Sequence, residues 1–122
     1  MSGDVTRGEL AGRLDDESLT ILDVRTAGEF DGTVVTPCDG RGGHIPGARN
    51  LEISLVMQMT PEQLRSWLGL PEGAEIVAYC HSGGRSAIAC SLLRAAGFEA
   101  RNYVGSWHEW SHDPSLPGEL RD

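Results

Sequence analysis

Glu75-Ile76-Val77-Ala78-Tyr79-Cys80-His81-Ser82-Gly83-Gly84-Arg85-Ser86 is the stretch on which the fold turns. Ile76 to Tyr79 is a short apolar run with β-branched and aromatic members, bounded by turn signals, and reads as a buried strand. Ala87 to Ala96 reads as a helix. Ile88, Ala89, Leu92, Leu93 and Ala96 share one face at the 3.6-residue repeat, and Gly97 supplies the stop. Cys80 is therefore placed at the carboxyl end of a strand, in a tight loop that opens a helix. Open α/β sheets bind ligands at such crevices.

The loop's composition favours a thiolate. Gly83 and Gly84 allow positive φ without a Cβ clash, so successive N–H groups can turn inward around an anion. The helix starting near Ser86 adds unpaired N–H groups and the positive end of its dipole. Arg85 brings a permanent charge, and His81 a conditional one. A thiol so placed is expected to have a lowered pKa and to act as a nucleophile. The bland alternative is a packed structural cysteine; two glycines and an arginine directly after Cys80 argue against it.

Bulk properties narrow the classes. A chain of 122 residues, 39% hydrophobic, is expected to form one domain with a core that needs no staples. The boundaries read as residues 1–122, with a core at about 4–110 and a tail at 111–122. No run is long enough to span a membrane, and Met1 to Leu14 lacks the pattern of a signal peptide, so cytoplasmic residence is expected. The net charge of −8 argues against nucleic acid or an anionic membrane as partner. All ten basic residues are arginine, which excludes Schiff-base chemistry on a lysine. Three cysteines, Cys38, Cys80 and Cys90, point away from a disulfide framework. A metal set of Cys38, His44, Cys80 and His81 matches no compact ligand spacing, so no metal or cofactor is assigned.

Along the chain, Thr6-x-x-Glu9 is a capping box before Leu10 and Leu14. Leu19 to Arg25 reads as a central strand, with Asp23 an odd residue at its buried end that must be hydrogen-bonded or paired. Thr26 to Phe30 reads as a helical turn, and Asp31 to Gly43 as a glycine-rich excursion of functional length. Arg49 to Ile53 is an edge-type strand. Thr60-Pro61-Glu62-Gln63 starts a helix whose buried stripe is Leu64, Trp67 and Leu68. Ala100 to Val104 gives a last strand, and Pro114 to Asp122 a tail with little structure of its own. Strands alternating with helices argue for an α/β fold, a parallel sheet of about five strands with helices on both faces.

Cys80-His81-Ser82-Gly83-Gly84-Arg85, with its strand and helix, resembles the active-site loop of the rhodanese family of sulfurtransferases. Gly43-His44-Ile45-Pro46-Gly47-Ala48 closely matches a family signature, and Gly105-Ser106-Trp107-His108-Glu109-Trp110 resembles a segment near the end of thiosulfate sulfurtransferase domains. The resemblance spans roughly Leu19 to Trp110. It implies that Asp23 and Arg25, an Asp-x-Arg after the first main strand, brace the site. It also implies that Arg41, in the long loop, helps hold an anionic donor, against a solvated loop arginine as the alternative. Trp107 either walls the site or closes the core; for Trp110 the core is the stronger reading. His44 reads as a structural histidine, Cys90 as packed, and Cys38 as a possible second thiol for relay or disulfide chemistry.

The activity so implied is transfer of a sulfane sulfur from a small-molecule donor, with thiosulfate preferred, through a Cys80 persulfide to cyanide or a thiol. His81, Ser82, Gly83, Gly84, Arg85 and Ser86 form the binding loop, and no cofactor is required. Four residues lie between Cys80 and Arg85, against five in cysteine phosphatases. That makes a cradle sized for one sulfur atom and argues against an oxyanion as large as arsenate. A 3-mercaptopyruvate donor, or a non-enzymatic binding module of the same fold, are the alternatives. The sequence fixes no oligomeric state, and a monomer is consistent with it.

Overall fold

The computed structural model describes residues 3–120, so readings that touch Met1, Ser2, Arg121 and Asp122 lie outside it. Among these residues β1 (Leu19–Asp23), β2 (Arg49–Asn50), β3 (Glu75–Tyr79) and β4 (Glu99–Asn102) form one parallel sheet, ordered β2-β1-β3-β4. That is four strands where about five were expected. The two central strands are the apolar runs, as burial on both faces of a parallel sheet requires. Leu22, Ile76, Ala78 and Ala100 point to one face, and Leu19, Ile21, Val77 and Tyr79 to the other.

Helices cover both faces. On the first lie α3 (Ile53–Val56), α4 (Pro61–Leu68) and α5 (Gly84–Ala95), which contribute Val56, Leu64, Leu68, Ala89, Cys90 and Leu93 to the core. On the second lie α1 (Arg7–Ala11) and α6 (Ser106–Ser111), with Leu10, Trp107 and Trp110. The short α2 (Ala27–Asp31) follows β1. Truncating Leu93, which is fully buried, would cost about 2–5 kcal/mol.

The local signals largely set the elements. Thr60 and Gln63 make a complete capping box, and Gly69 ends α4 in the left-handed region at φ +66°. At α1 only half the box forms. The Thr6 hydroxyl accepts the Glu9 N–H, but the Glu9 carboxylate pairs with Arg101 at 2.6 and 3.1 Å instead of reaching back. The Arg49–Ile53 strand stops at Asn50. Ile53 starts a helical turn that sends Val56 inward, although the N–H groups of Leu51 and Ile53 still donate to Asp23 and Val24 of the neighbouring chain segment.

Two apolar side chains assigned to buried stripes lie outside. Trp67 is 36% exposed and is covered by Arg49, whose guanidinium carbon lies 4.5 Å from the ring centroid. Ile88 is 48% exposed, and Cys90 takes its place in the buried face of α5. Each sits at the margin of its helical stripe, where a wheel alone cannot set the width of the buried arc.

Among the described residues the segment after α6 forms no helix or strand of its own, yet it is tied down. His44 and Glu119 exchange both backbone hydrogen bonds at 2.8 Å, and the Trp110 indole donates to the Pro117 carbonyl at 2.7 Å.

Candidate active site

Parallel strands deliver their carboxyl ends to one edge of the sheet. There Asp23 is level with Tyr79, and Cys80 follows directly. The turn from β3 into α5 is made by Gly83, at φ +97°, a value that L side chains rarely adopt. Gly84 does not share that conformation; it is the first residue of α5 with ordinary φ, so one glycine and not two makes the turn.

The Cys80 side chain is covered, with the residue only 1% exposed, yet donors are aimed at its sulfur. The Gly83 N–H donates to Sγ at 3.1 Å and the Ser86 hydroxyl at 3.4 Å, while the Ser106 oxygen lies 3.9 Å away with its hydrogen turned to the Tyr103 carbonyl. Burial pushes the thiol up. The Ser86 hydroxyl and the N–H groups of Ser86, Gly83 and Ser82 outweigh it, and the thiol sits below its ordinary value. Cys90 is an internal contrast. It is equally covered, but burial dominates and its thiol is pushed up to about 11.

α6 holds the nucleophile's backbone. The Ser106 hydroxyl accepts the Cys80 N–H at 3.0 Å, and the Trp107 N–H donates to the Cys80 carbonyl at 2.9 Å. Ser106 takes φ +57°, the sole non-glycine residue at positive φ among those described, and it donates to the Tyr103 carbonyl at 2.9 Å. Asn102 donates to the Gly83 carbonyl at 3.2 Å and steadies the turn from the other side. Ser106 and Asn102 were not singled out from sequence. Ser106 enters the sequence reading only as part of the Gly105 to Trp110 segment and Asn102 only as a strand residue; their hydrogen bonds to Cys80 and its turn arise from the fold.

The remaining expected site residues are held by partners of their own. Asp23 and Arg25 form a buried pair, with Nη2 to Oδ2 at 2.8 Å and the Asp23 carboxylate also accepting the Arg25 N–H at 2.9 Å. Arg25 then donates to the Gly43 carbonyl at 2.6 Å and lies 5.2 Å from the Trp107 ring, so the pair joins the glycine-rich loop to α6. Arg85 bridges to Glu29 at 3.1 Å instead of turning onto Cys80. Arg41 donates to the Leu116 carbonyl at 2.7 Å and lies 5.7 Å from the Trp107 ring, while its buried Nε has no hydrogen-bond partner among the described residues. Trp107 is fully buried and donates to the Arg41 carbonyl at 2.9 Å, which places it in the core beneath the loop. His44 stacks on Phe30 at 3.7 Å and donates to its carbonyl at 2.7 Å, a structural role.

Of Cys38, His44, Cys80 and His81, the structure brings only Cys38 and His81 side by side, at 3.3 Å. No helix among the described residues is long and apolar enough to cross a membrane.

A four-stranded parallel α/β domain with an amide-lined cysteine at the strand ends defines a class: proteins that carry out chemistry on a loop thiolate. Comparison narrows it. The family model for the rhodanese-like domain matches residues 6–113, and the chain belongs to that family. A thiosulfate sulfurtransferase of Azotobacter vinelandii is 35% identical over 94% of this chain and 45% of its own length. A "probable 3-mercaptopyruvate sulfurtransferase" of Pseudomonas aeruginosa is 37% identical over 88% of this chain and 41% of its own. A crystal structure described as a probable thiosulfate sulfurtransferase superposes with a TM-score of 0.82 and 46% identity, over 95% of this chain and 47% of that one. The chain thus spans less than half the length of these relatives.

Proposed function

We propose that this domain is a sulfurtransferase that carries sulfane sulfur on Cys80 as a persulfide. The observation behind this is the set of donors aimed at one covered sulfur: Gly83 N–H at 3.1 Å and Ser86 hydroxyl at 3.4 Å. In the first half-reaction the Cys80 thiolate attacks the outer sulfur of thiosulfate. The S–S bond of the donor breaks, its electron pair leaves with sulfite, and Cys80 becomes a persulfide anion. In the second, cyanide or a thiolate attacks the outer sulfur, and the electron pair of the persulfide bond returns to Cys80 Sγ. Both steps follow thiol–disulfide exchange logic. The same N–H groups face sulfur anion before and after transfer, so the loop has little to reorganise. Asp23 and Arg25 position the loop through Gly43 and Trp107, and act through them and not on the substrate.

The relatives named thiosulfate sulfurtransferase support thiosulfate as donor. The 3-mercaptopyruvate reading has its own support. Arg85 is bridged to Glu29 and Arg41 is bound to the Leu116 carbonyl, so both guanidinium groups expected to attract a dianion are already engaged. Steady-state rates with each donor, for the wild type and Cys80→Ala, test both levels. Turnover lost in the variant supports the cysteine mechanism, and the ratio of kcat/KM values identifies the donor. Turnover retained by Cys80→Ala overturns the proposal.

A further inference from the structure

Beside the Cys80 cradle, four ligand-type side chains from three separate parts of the chain converge: Cys38 and Asp39 from the glycine-rich loop, His81 from the residue after the nucleophile, and His108 from α6. We propose that they form a binding site for one zinc-class divalent cation, with ligands from the Cys38 sulfur, a carboxylate oxygen of Asp39, His81 Nε2 and a ring nitrogen of His108.

The ligand atoms all lie within 4.8 Å of one another. His81 Nε2 is 3.3 Å from Cys38 Sγ and 2.8 Å from Asp39 Oδ1. Tetrahedral zinc with bonds of about 2.0–2.3 Å needs ligand atoms roughly 3.3–3.7 Å apart, so adjustments on the order of 1 Å would seat the ion. Cys38 and His108 are exposed and free to make such adjustments by rotamer.

Hydrogen bonding alone leaves this cluster unsatisfied. A single ring nitrogen faces both a sulfur and a carboxylate, and one N–H can aim at only one of them. The Asp39 side chain is 2% exposed, and its Oδ1, although 2.8 Å from Nε2, is buried without a hydrogen-bond partner among the described residues. A covered carboxylate oxygen left unpaired is costly, and a cation would satisfy oxygen, sulfur and nitrogen together. One thiolate, two imidazoles and one carboxylate suit tetrahedral zinc and do not suit magnesium or calcium, which take oxygen ligands. The scaffold is also preset. The His108 N–H donates to the His81 carbonyl at 3.0 Å, and the His112 ring donates to the His108 carbonyl at 2.6 Å, so loop and helix already share hydrogen bonds.

The test uses the full chain, reduced and freed of metal by a chelator, with no sulfur donor added, so that it is independent of the sulfurtransferase reading. Zn2+ is titrated by calorimetry and Co2+ by absorption. The expected result is one ion per chain, with a cobalt spectrum that shows a thiolate charge-transfer band and tetrahedral d–d bands. Cys38→Ser should abolish the charge-transfer band. Asp39→Asn and His108→Ala should each weaken Zn2+ by at least roughly tenfold, the scale on which even a ligand's supporting group acts. Cys80→Ala should leave the cobalt spectrum unchanged, and circular dichroism separates loss of a ligand from loss of fold. Absence of saturable binding, a band that survives Cys38→Ser, or a band that disappears with Cys80→Ala would each overturn the assignment.

Discussion

Gly83→Ala should lower both stability and sulfur loading, whereas Gly84→Ala, one residue along, should not destabilise the fold. At Gly83 the backbone sits at φ +97°, and an L side chain in the left-handed region costs about 1–2 kcal/mol. The added Cβ would also lie 2.8 Å from the Val104 carbonyl oxygen, a backbone atom that cannot simply rotate away. Overpacking of that kind costs about 1–3 kcal/mol, for a combined loss of about 2–5 kcal/mol. For a chain of this size about 4 °C of Tm accompanies each kcal/mol, so melting should fall by about 8–20 °C. At Gly84 the φ is ordinary and nothing lies within 4 Å of an added Cβ. Alanine there should leave Tm unchanged or raise it, by up to about 1 kcal/mol of helix propensity. Because Gly83 also supplies the N–H that points at Cys80 Sγ, its displacement should slow persulfide formation from thiosulfate by at least about tenfold. Thermal melts and timed mass spectra of both variants provide the readings. Equal melting of the two variants, or a Gly83→Ala protein that loads sulfur at the wild-type rate, would refute the account of the turn.

Other expectations follow from the same contacts. Asp23→Asn leaves the Arg25 guanidinium buried without its charge partner and should cost about 3–5 kcal/mol in urea unfolding, whereas an exposed pair would cost under about 1. A small alkylating reagent at neutral pH should label Cys80 and spare Cys90, because at Cys90 burial outweighs the Ala78 backbone donor and the thiol is pushed up to about 11; peptide mapping reads the ratio. Burial pushes the Glu29 carboxyl up, but the Arg85 bond and the Thr26 donors outweigh it and hold it below its usual value. Stability from that bridge is therefore present above the ordinary carboxylate range and is lost as pH falls through the folded-state value. The gap in Tm between wild type and Glu29→Gln should accordingly be constant near neutrality and close in acid.

The parts legible in the sequence are those whose cause is local. Thr60, Pro61 and Gln63 place the start of α4 within one turn of chain, and the Cys80 loop carries its strand, turn and helix in the single stretch from Glu75 to Ala95. At Asp23 only the need was legible, since a buried acid must be hydrogen-bonded or paired; that Arg25 is its partner emerges from the fold. What escaped depends on tertiary neighbours. Glu9 leaves its capping role because Arg101 comes within reach, Arg85 is drawn to Glu29, and Ser106 and Asn102 matter only because the fold brings them against the turn. The turn itself was read as two flexible glycines, although only Gly83 needs the freedom. The same holds for Asp39 and His108: nothing in their spacing from His81 marks them, and only the folded chain brings the three together with Cys38.

Intact-mass measurement of the reduced chain after brief exposure to thiosulfate tests the central claim most directly, with peptide mapping to locate the modification. The account predicts one added sulfur, on Cys80, released by cyanide. No added mass, or sulfur carried on Cys38 or Cys90 with Cys80 bare, would contradict it.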